Sequence, residues 1–311
     1  MENVAAAPDV ARTVDEERRQ FYRRLVIYAA LTGVTLLMAF PIIMMVSVSL
    51  RPAIETFSLP PKLLPETIYL DAYVRVLENP QFRRFLLNSY LLGLAVTGLS
   101  LLIGTLAAFG FSRYRFFGDK AAKLFVITTQ MVPTISLLIP FFGVIVWLRL
   151  YDTMWGLILT YLTFALPYAV IMMNGYLDTI PKDFDEAATI DGCSPLGVLF
   201  RVLLPVAMPG IISTAVYTFL LAWNEFLFAL ALTRSMDMRT VPVGISMLVG
   251  EFGLKWDEMM AFSVIGSLPV LVLFMLVQRF VVSGLAAGGV KGWSKDRGKT
   301  KRPHTRREDR P

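Results

Sequence analysis

Six long apolar windows alternate with shorter polar or charged stretches. They run from Leu25 to Leu50, Leu86 to Phe111, Ala121 to Leu148, Trp155 to Leu177, Ile211 to Thr233 and Ala261 to Val282. A helix rises about 1.5 Å per residue, so about 20 apolar residues cross a hydrocarbon layer of about 30 Å. Every window meets that length, and none shows the polar stripe of a helix lying on a soluble core. The pattern predicts an all-α membrane protein with six transmembrane helices. Pro41, Pro133, Pro140, Pro167 and Pro269 fall inside windows, and kinks are expected there, since membrane helices tolerate proline when neighbours satisfy the freed backbone groups. The first window exceeds the apolar run of about 7–15 residues in a signal peptide and lacks a small-x-small cleavage site, so a retained anchor is expected.

Charge sets the expected orientation. Lys and Arg collect on one side: five in residues 1–24, then Arg113, Arg115, Lys120 and Lys123, then Lys182 and Arg201, and nine from Lys291 onward. The opposite loops hold nine. By the positive-inside rule both termini are cytoplasmic, in a multi-pass protein of the cell (inner) membrane. The predicted organisation is a cytoplasmic arm over 1–24 and a first helix over 25–50. An extracytoplasmic segment over 51–85, proline-rich at Leu59-Pro60-Pro61, carries one or two surface helices. Five helices follow over 86–283, with a cytoplasmic loop at 178–210, and a basic tail over 284–311 is expected to be disordered from Trp293, with attraction to anionic lipid as an added possibility.

Composition agrees with this picture and removes several classes of function. The chain is 55% hydrophobic and 17% charged, against about 25% charged in ordinary globular proteins. The net charge of +6 follows from the topology, so no nucleic acid partner is expected. One cysteine, Cys193, and one histidine, His304, cannot build a disulfide framework, a cysteine-rich zinc site or a histidine triad. Hence no catalytic constellation and no metal site are expected, which argues against a membrane-embedded enzyme. The stretch Gly292 to Thr300 puts five residues between Gly292 and Gly298, where a phosphate-binding P-loop has about four, and no apolar strand precedes it. If ATP powers this protein, another chain binds it, and no cofactor is expected here.

Polar residues inside windows are few. Glu225 lies in the fifth, within Ala222-Trp223-Asn224-Glu225-Phe226. An ionisable group at membrane depth points to a functional site; a polar clamp between helices, made with Asn224, explains it equally well. Gln130, Asn88 and Asn174 fit interhelical hydrogen bonding better than substrate binding. An ion-coupled secondary transporter is the alternative, but it calls for several buried ionisable groups and an internal repeat. Glu225 stands by itself, and no repeat is visible.

The loop after the fourth window reads Tyr176 to Pro205 as helix, turn, helix. Pro181 with Asp183, Asp185 and Glu186 makes an acidic helix start that suits the dipole. Gly192 permits a turn that a Cβ would resist. Ser194-Pro195 is an N-cap followed by the first helical position. Leu196, Leu199, Val202 and Leu203 then recur with helical spacing as one apolar face, and Pro205 and Pro209 end the helix. Such an amphipathic protrusion suits docking into a partner, with Ala187 and Ala188 small enough for close approach, or else lies as an ordinary interfacial helix.

Glu186-Ala187-Ala188, Gly192 and Val202-x-Leu204-Pro205 resemble the EAA loop of permease subunits of ATP-binding-cassette (ABC) importers, with Val202 where isoleucine is commoner. Ala107 to Gly118, Gln130 to Pro133, Trp223 to Phe226 and Gly284 to Gly292 are similar to the carbohydrate branch, closest to the smaller six-helix permease of maltose-type importers. The resemblance covers about Leu25 to Gly292. It implies the type I ABC importer permease fold with a cytoplasmic coupling helix. It also implies a second permease, an ABC ATPase dimer, an extracytoplasmic solute-binding protein and a sugar or related polyol or oligosaccharide as substrate. Glu186, Ala187, Ala188, Gly192, Val202, Leu204 and Pro205 would couple to the ATPase.

Overall fold

A computed structural model describes residues 7–52, 55, 63–249 and 255–294, with side chains described from residue 18 to 278. Among the described residues every regular element is helical. The chain divides into two compact units, Met1–Val76 with Leu248–Val264, and Leu77–Met247 with Ile265–Pro311. The expectations for Leu59-Pro60-Pro61 and for the tail beyond Ser294 lie outside the described residues.

Helix α1 (Ala7–Ser49) extends well into the stretch expected to be an arm and runs through Pro41. Its apolar side chains from Phe21 to Ile43 are largely exposed. At its C-terminal end Ser47 donates to the Leu63 carbonyl at 2.6 Å, and Tyr69 N–H donates to Leu50 O at 3.0 Å. Helix α2 (Asp71–Glu78) buries Ala72 and Val76. Its Arg75 pairs with Asp257 and, at 2.9 Å, with Glu258, so one guanidinium fork satisfies two buried carboxylates.

In the second unit, α3 (Pro80–Arg113) begins six residues before its window because Asn79 and Pro80 form a start signal: the Asn79 side chain accepts from Gln81 N–H at 2.9 Å. The third window is not one helix. It divides into α4 (Asp119–Thr129) and a 3₁₀ turn (Thr134–Leu137) leading into α5 (Leu138–Trp147), and the two parts are bent by 96°. Pro133 offers no N–H to continue the ladder. An 11-residue helix such as α4 covers only about 16 Å, about half the hydrocarbon layer. Helix α6 (Met154–Asp178) matches the fourth window, runs through Pro167, and is capped by Thr153, whose hydroxyl accepts from Gly156 N–H at 3.1 Å.

The loop after α6 forms α7 (Asp183–Ile190), α8 (Pro195–Gly197), a π-helical segment (Val198–Leu203) and α9 (Leu204–Val206). The chain then bends by 83° into α10 (Met208–Asn224). The fifth window is also broken: α10 stops at Asn224, Glu225 is extended, and α11 (Leu227–Leu232) follows. Next come a 3₁₀ turn (Met236–Met238), α12 (Val241–Met247) and α13 (Trp256–Ser294), which runs through Pro269. Thus four windows form single long helices and two form bent or broken pairs.

Helices α3 and α6 make the central packing of this unit. A Cβ on Gly104 would lie 2.8 Å from the Ala169 Cβ, so the missing side chain allows the two backbones to meet closely. Asn88 is buried and donates to the carbonyls of Asp237 at 2.7 Å and Arg239 at 2.8 Å, the structural use expected for it. On the side of the α5–α6 turn, Asp152 Oδ1 accepts from Arg234 N–H (2.8 Å), Ser235 N–H (3.0 Å) and the Ser235 hydroxyl (3.1 Å). Burial pushes the Asp152 carboxyl up, but these hydrogen bonds and the Arg234 charge together bring it below its usual range.

Candidate functional site: the α7–α9 hairpin and the Glu225 break

The hairpin follows from local chemistry. Asp183, Asp185 and Glu186 occupy the first turn of α7, where the free N–H groups and helix dipole favour negative charge. The far end closes as a Schellman motif: Cys193 N–H donates to Ala188 O and Gly192 N–H to Thr189 O, both at 3.0 Å. Gly192 has φ +84°, the left-handed region that a residue with a Cβ resists. Ser194 then caps the second arm, its hydroxyl accepting from Gly197 N–H at 3.2 Å, with Pro195 in the first turn.

Packing decides which faces are free, and it differs in part from expectation. Val198, Leu199 and Leu203 pack inward with Ala188, Phe109, Met173 and Leu177. Leu196, expected on that same apolar face, is exposed instead. The π-helical turn widens the spacing, so the simple heptad-like pattern does not hold through Val198–Leu203. Ala188 is buried, so its small side chain serves packing within the chain; Glu186 and Ala187 stay exposed. Val202 and Leu204 are half-buried and Pro205 is exposed. Phe184, Ile190 (87% exposed), Leu196 and Phe200 of the hairpin are exposed, as are Asp183 and Glu186.

One residue that sequence reasoning treated as a topological charge is a structural centre. Arg113, the last residue of α3, has a buried side chain (7% exposed) paired through Nε with Asp185 Oδ2 at 2.5 Å. Its Nη1 donates to Leu177 O at 3.0 Å and its Nη2 to Ile180 O at 3.1 Å. Next to it, Ser112 donates to Asp178 Oδ1 at 2.5 Å. A pocket of about 220 Å³ opens alongside, lined in part by Arg113, Tyr114, Asp185 and Cys193. The signal in the sequence was an arginine placed directly on an apolar helix end, where a carbonyl-rich helix terminus can face it.

Glu225 is the second candidate, and it sits at the break. Its Oε1 accepts from Phe228 N–H at 2.8 Å, and its Oε2 from Ala229 N–H at 3.0 Å and from the fully buried Tyr161 hydroxyl at 2.6 Å. The carboxylate therefore caps the free N–H groups of α11 and ties them to α6. Asn224, exposed, donates back to Leu220 O at 2.9 Å, and Gln130, also exposed, donates to Phe164 O at 3.3 Å. Gln130 and Glu225 thus attach to adjoining turns of α6, through residues 164 and 161. Tyr161 was one aromatic among many in the sequence, and only its partner distinguishes it.

Known proteins resemble this chain over nearly its whole length. It is 39% identical over 272 residues to the inner membrane ABC transporter permease protein YcjP of Escherichia coli, covering 86% of this chain and 97% of the relative. It is 36% identical to the trehalose/maltose transport system permease protein MalG of Thermococcus litoralis, covering 88% and 99%. A crystal structure of a bacterial ABC transporter that imports the acidic polysaccharide alginate contains a chain of the same fold, with TM-score 0.72, 24% identity and coverage of 84% and 97%. Residues 100–286 match the family described as binding-protein-dependent transport system inner membrane component. That match spans the hairpin, the Arg113 contacts and the Glu225 break together, and with the relatives it makes this chain a member of that family, the membrane-spanning permeases of ABC importers.

Proposed function

We propose that this permease forms, with a second permease, the membrane pathway for a sugar or a related polyol or oligosaccharide. A solute-binding protein delivers it from outside, and a separate ABC ATPase dimer binds and hydrolyses ATP. The α7–α9 hairpin is the ATPase contact, and both termini face the cytoplasm. One observation carries the hairpin's role: its inner face is consumed by packing while Ile190, Leu196, Phe200 and Glu186 stay exposed. Lipid is a poor cover for that surface, because Asp183 and Glu186 repel anionic headgroups on the cytoplasmic side. A protein groove accepts both the apolar and the acidic parts. The Lys/Arg asymmetry supports the orientation, and the trehalose/maltose permease supports the class of substrate.

Two measurements test this reading. The solute-binding protein that stimulates the assembled transporter is melted with a panel of maltose, trehalose, sucrose, glycerol and arabino-oligosaccharides, and at least one should raise its midpoint. A panel without a shift, followed by a clear shift with an amino acid or metal, would refute the sugar assignment. Glu186→Lys should leave the permease inserted while the ATPase no longer co-purifies or loses its stimulation by loaded binding protein. Normal retention and stimulation would remove the hairpin from the ATPase interface.

A further inference from the structure

We infer that Arg113 is the positioning residue that locks the hairpin to α3, so that α3, the end of α6 and α7 move as one body. The inference rests on the hairpin being the ATPase contact, and it adds how motion there would reach the membrane helices. Covalently, α7 follows α6 through residues 179–182, but nothing in the chain's connectivity joins α7 to α3. Phe109 of α3 packs against the hairpin's inner apolar face, and the polar join is made by one side chain, Arg113. The guanidinium of Arg113 donates from its two terminal nitrogens to the carbonyls of Leu177 and Ile180, at 3.0 and 3.1 Å, and its charge pairs with the Asp185 carboxylate in the first turn of α7, with Nε and Oδ2 2.5 Å apart. A planar fork holds two fixed carbonyls while its charge lies against a carboxylate, a combination that an ammonium on a flexible stem does not reproduce. The pair is also shielded: Arg113 is 7% and Asp185 21% exposed at the side chain, so solvent screening is weak. The Ser112–Asp178 bond at 2.5 Å adds a second tie between the same two helix ends. Asp185 precedes the Glu186-Ala187-Ala188 motif by one residue, so the lock sits on the inner side of the turn whose outer side carries Glu186.

The test uses the full transporter in proteoliposomes, with both permeases, the ATPase dimer and the binding protein. In a Cys193→Ser background, spin labels at Leu106→Cys on α3 and Asp191→Cys at the end of α7, both exposed, report their separation with and without MgATP and vanadate. With Arg113 present, the distance distribution should stay narrow and unchanged between the two states. Arg113→Met should broaden it or shift it on adding nucleotide, and Arg113→Lys should restore it in part. Transported sugar per ATP, measured with the panel sugar that stabilises the binding protein most, should fall at least tenfold in Arg113→Met while the ATPase still co-purifies. A fraction of misfolded transporter lowers uptake and hydrolysis together and leaves their ratio unchanged, so the ratio separates positioning from mere loss of protein. If Arg113→Met does not assemble, Asp185→Asn keeps the carbonyl contacts and removes only the ion pair; it should lower the same ratio severalfold. Wild-type distances and ratios in Arg113→Lys and Asp185→Asn, or in an assembled Arg113→Met, overturn the proposal. A failure of the hairpin reading shows separately, as normal ATPase retention in Glu186→Lys.

Discussion

Replacing Glu225 should reveal a cap and not a proton carrier, and the structure sets the size of the effect. Glu225→Ala removes the acceptors of Phe228 and Ala229 N–H and leaves the Tyr161 hydroxyl without its partner. Loss of a helix cap costs about 0.5–2 kcal/mol. Tyr161 is fully buried, so its orphaned hydroxyl adds about 1–3 kcal/mol. The sum, about 1.5–5 kcal/mol, corresponds to a fall of roughly 3–20 °C in the apparent melting midpoint for a unit of this size. The sign of the second substitution is the sharper test. Tyr161→Phe in the native background loses a hydrogen bond to a carboxylate, about 1.5–3 kcal/mol. In the Glu225→Ala background the same change deletes an unpaired hydroxyl and should raise stability by about 1–3 kcal/mol. The assay is a thermal melt of the purified transporter in detergent at one scan rate, for all four members of the cycle. A Tyr161→Phe effect of the same sign and size in both backgrounds would sink the argument, as would a Glu225→Ala midpoint equal to the native one. Glu225→Gln supplies a single acceptor oxygen, so one of the three donors loses its partner; uptake should nonetheless keep its dependence on ATP. Uptake that follows a proton gradient in ATP-depleted vesicles would contradict that role.

Other sites give independent checks. At Gly192 a Cβ meets nothing within 4 Å, so the cost of Gly192→Val is that of φ +84° alone, about 1–2 kcal/mol. Coupling free energies are about 1–3 kcal/mol; membrane insertion should survive while uptake falls by about tenfold, and equal uptake would show that the turn is not under such constraint. Gly104→Val forces a Cβ to within 2.8 Å of Ala169, and overpacking of about 1–3 kcal/mol should appear as a lower melting midpoint and an aggregated peak in size-exclusion chromatography. Asp152→Asn should lower the midpoint at neutral pH. Because the folded carboxyl lies below its ordinary value of 3.8, its contribution is complete above that value and lost as pH falls through the lowered one. The difference between wild type and Asp152→Asn should therefore be constant from pH 5 to 7 and shrink below about pH 4; a difference that grows on acidification would reverse the assignment.

Length and local chemistry were legible in the linear chain. Windows of about 20 apolar residues have few ways to satisfy their backbone in lipid except as helices, so α1, α3, α6 and α13 each run through a window, with ends that extend past it in α1, α3 and α13. The ends of the hairpin were legible for a similar reason: Ser194 with Pro195, and Gly192, act within three or four residues of themselves. What the chain alone left open depends on partners far along it. The 96° bend after Thr129 and the stop at Glu225 fall inside apolar windows; Pro133 and Glu225 marked the places, but hydropathy does not register a backbone direction. The break at Glu225 holds because Tyr161, 64 residues away, supplies the third hydrogen bond. Arg113 counted only as a positive charge until the carbonyls of Leu177 and Ile180 and the carboxylate of Asp185 were brought around it. Periodicity selected Leu196, Leu199, Val202 and Leu203 as one face, but a π-helical turn and the side chains of Phe109 and Met173 decided which of them went inside. Spacing along a helix says which residues can share a face; only the surface packed against it decides which face is buried and which stays open to a partner.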